Sequence, residues 1–155
     1  MTLKPLFALG CLLGLGAAAP SPASAGEAGL PPAAYAAAGA ERPADAATLA
    51  GRWRVLRLNG ARIPAGTLVT IEFGPDGRAS GRGGCNSFTS SYTLTPGGLT
   101  FSQPAATMRA CAPARMKVEG QFFQALPSVT SAARGQRGSL RLMAGNRTIL
   151  VLRRG

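Results

Sequence analysis

Three cysteines, six carboxylates and no histidine limit the chemistry open to this 155-residue chain. Without imidazole there is no Ser-His-Asp or Cys-His catalysis, and no metal site that depends on a histidine ligand. Cys85 and Cys111 are not part of a Cys-x-x-Cys motif, and only Arg109 is close enough in sequence to depress a thiol pKa. The pair has three readings: a structural disulfide, two free thiols or a redox couple. In an oxidising compartment the disulfide is the default. Closing a loop of about 27 residues would stabilise a small fold by about 3.5 kcal/mol on the chain-entropy model.

Gly81-Arg82-Gly83-Gly84-Cys85-Asn86 is the most distinctive local stretch. A phosphate-cradling loop ends in Gly-Lys-Ser/Thr before a helix, whereas this one runs into a strand pattern. It reads as a β-bulge or tight crossing where only glycine lets two backbones approach, with Asn86 bracing the turn through its side chain. Paired-carboxylate hydrolysis needs two acids about 5–9 Å apart. From residue 48 onward the acids are Glu72, Asp76 and Glu119. Asp76 falls in an exposed turn and Glu72 faces out of a strand, so the chain reads as non-enzymatic, with no catalytic residue, cofactor or metal.

The elements that must position these residues follow from patterning. Residues 1–25 read as a secretory signal peptide: Lys4 supplies the positive start, an apolar run follows, and Ala23-Ser24-Ala25 is a small-x-small cleavage site. The run is too short to span a membrane. Ala8-Leu9-Gly10-Cys11 resembles a degraded lipoprotein box. Soluble release after Ala25 is the main expectation, and an outer-membrane lipoprotein lipidated at Cys11 is the alternative. Residues 26–47 are Ala/Pro/Gly-rich and read as a flexible spacer. The domain is expected over 48–155, as short apolar runs spaced by turn signals, the rhythm of an all-β meander or small barrel. Strands are predicted at 53–58, 68–73, 79–83, 88–94, 99–102, 128–133, 139–143 and 148–152. Pro75-Asp76-Gly77 and Ala144-Gly145-Asn146 supply turns. Val118, Phe122, Ala125, Leu126 and Val129 recur at three- and four-residue spacing, which predicts one amphipathic helix over 115–126, stopped by Pro127.

The ordered series Trp53, Gly81-x-x-Gly84-Cys85-Asn86, Tyr92, Leu99-x-Phe101, Thr107-x-x-Ala110-Cys111, Glu119, Phe122-Phe123 and Leu126 resembles the META domain, the HslJ-like heat-shock family of bacterial envelope proteins. The resemblance covers about 49–153. It departs from the family pattern at Arg109, where a methionine usually precedes Ala-Cys; here Met108 lies one place earlier. The resemblance implies a small antiparallel β-barrel of about eight strands with lipocalin-like topology and one packed helix. It also implies a role in envelope stress or resistance to toxic compounds. It supplies no catalytic residue. It casts Trp53 as a core anchor, Cys85 and Cys111 as a cross-link, Phe122 and Leu126 as the helix face on the barrel, and Glu119 as a partner of an arginine or of backbone groups.

Residues 48–155 carry 15 basic side chains against three acidic ones, a net charge of +12. A field of that size attracts polyanions. Export excludes nucleic acid, and the chain lacks an aromatic-plus-basic binding strip. Arg52, Arg54, Arg57, Arg153 and Arg154 are the candidate contacts for an anionic surface; the alternative is that they are simply solvated. The partner classes are an acyl-chain ligand held among Phe73, Phe88, Phe101 and Phe123, an anionic lipid, or an envelope protein. A binding or interaction module is the leading expectation. The alternative is a pocketless envelope-maintenance protein on anionic membrane surfaces.

Overall fold

The structure, a computed structural model, describes residues 42–155. The expected signal peptide, Cys11 and the spacer as far as residue 41 lie outside the described residues.

Alternation builds the strands. In β3 (Thr70–Phe73) Ile71 and Phe73 are buried while Glu72 points out. In β1 (Gly51–Leu58) Trp53 and Val55 are buried between exposed arginines. The register of β1 shifts between Val55 and Arg57, leaving both Leu56 and Arg57 exposed and returning Leu58 to the interior. A one-residue bulge does this because strand side chains alternate with a period of two. The remaining strands are β2 (Ala61–Arg62), β4 (Arg78–Arg82), β5 (Ser87–Thr95), β6 (Gly98–Phe101), β7 (Ala105–Ala106), β8 (Ser131–Arg134), β9 (Leu140–Ala144) and β10 (Arg147–Arg154).

Eight of them form one curled antiparallel sheet in the order β6-β5-β4-β3-β1-β10-β9-β8, with the two-residue β2 and β7 pairing to β1 and β5. Around the sheet the chain runs up and down in sequence order, with the first and last long strands as neighbours. The break falls between β6 and β8, giving a half-barrel. Its edges draw together where Leu99 N–H bonds to Thr130 O at 3.0 Å. The connection across the break carries helix α2 (Pro113–Ala125), which continues into a 3-10 turn at Leu126–Ser128. Pro113 sits in the first turn, where a missing N–H costs nothing. Val118, Phe122, Ala125, Leu126 and Val129 are all buried, so the predicted helical stripe is the face laid on the sheet. The strand expected at 128–133 begins later, at Ser131, because the 3-10 turn occupies its first residue.

Packing also reaches ahead of the boundary read at residue 48. Ala44 is buried and its N–H bonds to Ala132 O at 2.9 Å, and Pro43 bridges Ala133. Asp45 then caps α1 (Ala46–Leu49), accepting from Thr48 N–H at 2.7 Å. This docking is made by backbone groups, which an Ala/Pro-rich composition does not advertise.

The interior is filled by side chains. Phe73, Tyr92 and Phe101 form one aromatic group, with ring centroids 5.2–6.3 Å apart. Phe88, Phe122 and Phe123 form a second at 5.3–5.7 Å. Edge-on and tilted contacts of this kind add to the burial energy of each ring. Of the four phenylalanines weighed as cavity lining, Phe73, Phe88 and Phe101 are buried core and Phe123 is partly buried against it.

A side chain at Gly98 would place its Cβ 2.5 Å from Thr130 O, whereas one at Gly97 would meet nothing nearer than 3.9 Å. Gly98→Ala is expected to lower unfolding free energy by about 1–3 kcal/mol in urea titration by forcing the edges apart. Gly97→Ala, next to it in the same turn, is expected to stay within about 0.5 kcal/mol of the parent.

Candidate functional site

The glycine-rich stretch, both cysteines and Glu119 converge where α2 meets the sheet. Arg115, Glu119 and Phe123 lie four residues apart on one helical stripe. Gly83 and Gly84 press flat against it: a Cβ at Gly83 would lie 2.7 Å from the Phe123 ring and 3.1 Å from Glu119 Cγ, and one at Gly84 would lie 3.2 Å from Arg115 O. Gly84 also holds φ +134°, a conformation that favours glycine. The two glycines thus form a slot for the helix. Gly81 is a second close approach, since a Cβ there would stand 2.1 Å from Thr70 O in the adjoining strand.

Glu119 is 5% exposed, and its carboxylate is the polar centre of the slot. Oε2 accepts from Cys85 N–H at 2.9 Å and from Asn86 N–H, and Oε1 accepts from Asn86 Nδ2 at 2.7 Å. Burial pushes the carboxyl pKa up, but the three hydrogen bonds outweigh it and hold Glu119 below the usual carboxylate range. Asn86 carries the link onward: its Oδ1 accepts from Thr107 Oγ1 at 2.8 Å and from Arg109 N–H at 2.7 Å, while its Nδ2 also donates to Arg109 O at 3.1 Å. The Cys85–Cys111 disulfide, with Cα atoms 5.9 Å apart, closes the same junction covalently. The partners of Glu119 are backbone and amide N–H groups, and among the described residues it forms no ion pair with an arginine.

The other motif residues are spread through the core. Trp53 is buried and donates from Nε1 to Leu49 O at 2.7 Å. Tyr92 donates to Gly74 O at 2.7 Å, and burial, aided by Asp76, raises its phenol pKa. Phe122 and Leu126 are fully buried, whereas Ala110 is exposed. These positions are spread through the core, apart from the exposed Thr107 and Ala110.

The candidate arginines divide into two groups. Arg154 stacks over Trp53 at 4.5 Å from the ring centroid and donates to Ala50 O and Thr48 O, so it caps one end of the barrel. Arg52 pairs with Glu72 at 3.0 Å, and Arg57 donates to Gly60 O at 2.9 Å. Arg54 and Arg153 face each other in register across β1 and β10. Thr70 follows Arg54 across β3, and Arg82 follows Thr70 across β4. Arg54, Arg82 and Arg153 are exposed, and among the described residues their guanidinium groups have no partner. Arg82 is the member that the sequence reading left out, because register rather than proximity in sequence brings it into the row.

Glu119→Ala would strand the Cys85 and Asn86 N–H groups in the slot, and is expected to cost about 2–4 kcal/mol of unfolding free energy. A folded-state pKa below the unfolded value means that the carboxylate's contribution is fully present above about pH 4.3, the ordinary value, and is lost as pH falls through the depressed one. Glu119→Gln should therefore be less stable at pH 7 and show a flatter acid limb in pH-dependent denaturation. Reducing the disulfide is expected to remove about 3.5 kcal/mol more.

Two solved structures share the fold. One, described as the NMR structure of a protein from Burkholderia xenovorans, is 25% identical with a TM-score of 0.59, covering 75% of this chain and 91% of that one. The other, also an NMR structure, is 24% identical with a TM-score of 0.51, covering 68% of this chain and 89% of its own. No curated protein matches the chain. The META domain model matches residues 47–155, which takes in the slot, the disulfide and every strand. On that match, the chain belongs to the META domain family.

Proposed function

We propose that this protein is an exported, non-catalytic module of the bacterial envelope that works by binding an anionic partner through the outer face of β10, β1, β3 and β4. The observation that carries this reading is the row Arg153, Arg54, Thr70 and Arg82. Three guanidinium groups without a partner among the described residues share one face of a domain whose net charge is +12. A filled interior supports a surface function over an enclosed ligand. A Glu119 whose two oxygens are both engaged supports a structural carboxylate over a catalytic one. The kinship with HslJ-like envelope proteins suggested by the sequence motifs extends the proposal to envelope stress or resistance to toxic compounds. The signal-peptide pattern at 1–25 supports export, to the periplasm after cleavage or to the outer membrane through a lipidated Cys11. The anions within reach there are lipopolysaccharide, anionic phospholipid and acidic proteins.

Each guanidinium near an anionic surface contributes about 1 kcal/mol, within a screening length that falls from about 10 Å at 0.1 M salt to about 3 Å at 1 M. The protein is expected to co-sediment with phosphatidylglycerol-containing vesicles at low ionic strength and to be released as salt rises. Arg54→Glu combined with Arg153→Glu should weaken that binding at least about tenfold without shifting the thermal midpoint by more than a few degrees. Binding that ignores both salt and charge reversal would overturn the reading.

A further inference from the structure

The same outer face carries an apolar element that charge alone does not explain. Among the described residues the exposed large hydrophobics are Leu56 (39% exposed), Leu68 (41%), Met108 and Met116. Both leucines belong to the β1–β3 face. Outward positions on β1 run Arg52, Arg54, Leu56, and those along β3 and the residues leading into it run Glu72, Thr70, Leu68. Arg52 pairs in register with Glu72 and Arg54 with Thr70, and the strands stay joined one step further, where Val55 N–H bonds to Val69 O at 2.9 Å. Leu56 and Leu68 are therefore the next outward positions beyond the Arg54–Thr70 pair. Leu56 faces outward by the alternation of β1, and the bulge leaves Arg57 exposed beside it. Leu68 lines a shallow depression of about 470 Å³ together with Arg52, Arg54, Thr70, Glu72 and Arg82.

We infer that the anionic partner is a lipid bilayer, and that Leu56 and Leu68 enter its interfacial layer while Arg54, Arg82 and Arg153 hold the headgroup phosphates. The inference rests on the anionic-surface reading above and specifies the partner and its orientation. Aliphatic side chains set among guanidinium groups match the bilayer interface, where phosphate lies just outside the acyl boundary. A soluble polyanion would leave both leucines in water. Protein hot spots pair arginine with buried aromatic anchors, and this face supplies arginine with aliphatic rather than aromatic neighbours. The proposed contact is made by the outer face of the strands; among the described residues no helix is long and apolar enough to cross a membrane.

The test uses the purified protein with three probes: vesicles of mixed phosphatidylglycerol and phosphatidylcholine, vesicles of phosphatidylcholine alone, and soluble polyphosphate. The parent is expected to bind the mixed vesicles and to bind phosphatidylcholine alone far more weakly. Leu56→Ser with Leu68→Ser should partition about tenfold less onto the mixed vesicles, the size expected for withholding two partly exposed leucines from the interface, with polyphosphate binding unchanged. A Leu68→Trp variant provides an independent reading, because its emission should shift to the blue on mixed vesicles and stay put with polyphosphate. If the parent binds mixed vesicles but the double serine variant binds equally well, or the new tryptophan does not shift, the leucine anchor is overturned and the charge reading stands. If the parent binds polyphosphate and no vesicle, the bilayer assignment is overturned and the charge reading again stands. Binding to none of the probes removes both.

Discussion

One buried carboxylate holds the two halves of this domain together. Glu119 is the sole acidic side chain of α2, and it occupies a place where an uncompensated charge would cost several kcal/mol. It is tolerated because three N–H groups meet it, two of them from the backbone of Cys85 and Asn86. Such an arrangement is sensitive in both directions. The donors are as dependent on the carboxylate as it is on them, so the loop has one low-energy way to sit on the helix. Asn86 and the disulfide pass that constraint to the 107–111 segment. The long connection between β6 and β8 is thereby pinned before α2 begins, and the Leu99–Thr130 bond meets its far end.

That connection decides what kind of barrel this is. The sheet has the strand number of a closed barrel but stops short of closing, and α2 lies within the connection that joins β6 to β8. Phe122 enters the interior from the helix and meets Phe88 of β5 edge to face. A barrel of this size either fills with side chains or holds one small ligand, and here the helix supplies much of the filling.

The sequence shows the parts of this fold that repeat with a period. Val69, Ile71 and Phe73 reveal a strand by alternation, and Val118, Phe122 and Leu126 reveal a helix by their spacing, so the architecture was legible. Elements made by backbone or turn geometry were not. β2 and β7 have two residues each, too few for alternation, although Asn59-Gly60 is a hairpin signal in its own right and both residues take the positive φ that a tight turn needs. α1 depends on the Asp45 cap and on Ala44 docking to β8, neither of which has a hydrophobic pattern. At the junction, residue types identified Cys85, Asn86 and Glu119. Their mutual bonding could not be read from spacing, because Glu119 and Asn86 are 33 residues apart. The charged face was legible as composition and illegible as pairing. Glu72 takes up Arg52 and Trp53 takes up Arg154, while register brings Arg82 beside Thr70 and hence into line with Arg54.

The excess charge also has to be reconciled with stability. Arg54 faces Arg153 across one ladder and Arg57 faces Arg62 across another, and like charges directly opposite each other destabilise a sheet. Two unit charges about 5 Å apart in water repel by roughly 0.8 kcal/mol, less once salt screens them. A disulfide worth about 3.5 kcal/mol exceeds both pairs together. It does so from a junction on α2 and the β4–β5 connection that shares no residue with the β1–β10 face. The cross-link and the carboxylate network therefore let the fold carry a repulsive arginine face that a domain of this size, relying on its core alone, would hold less securely. That separation explains why the residues that identify the family and the residues of the proposed contact face are almost entirely different sets. They touch where Arg154 roofs Trp53, a candidate surface arginine over a family core residue, and where Gly81 packs on Thr70.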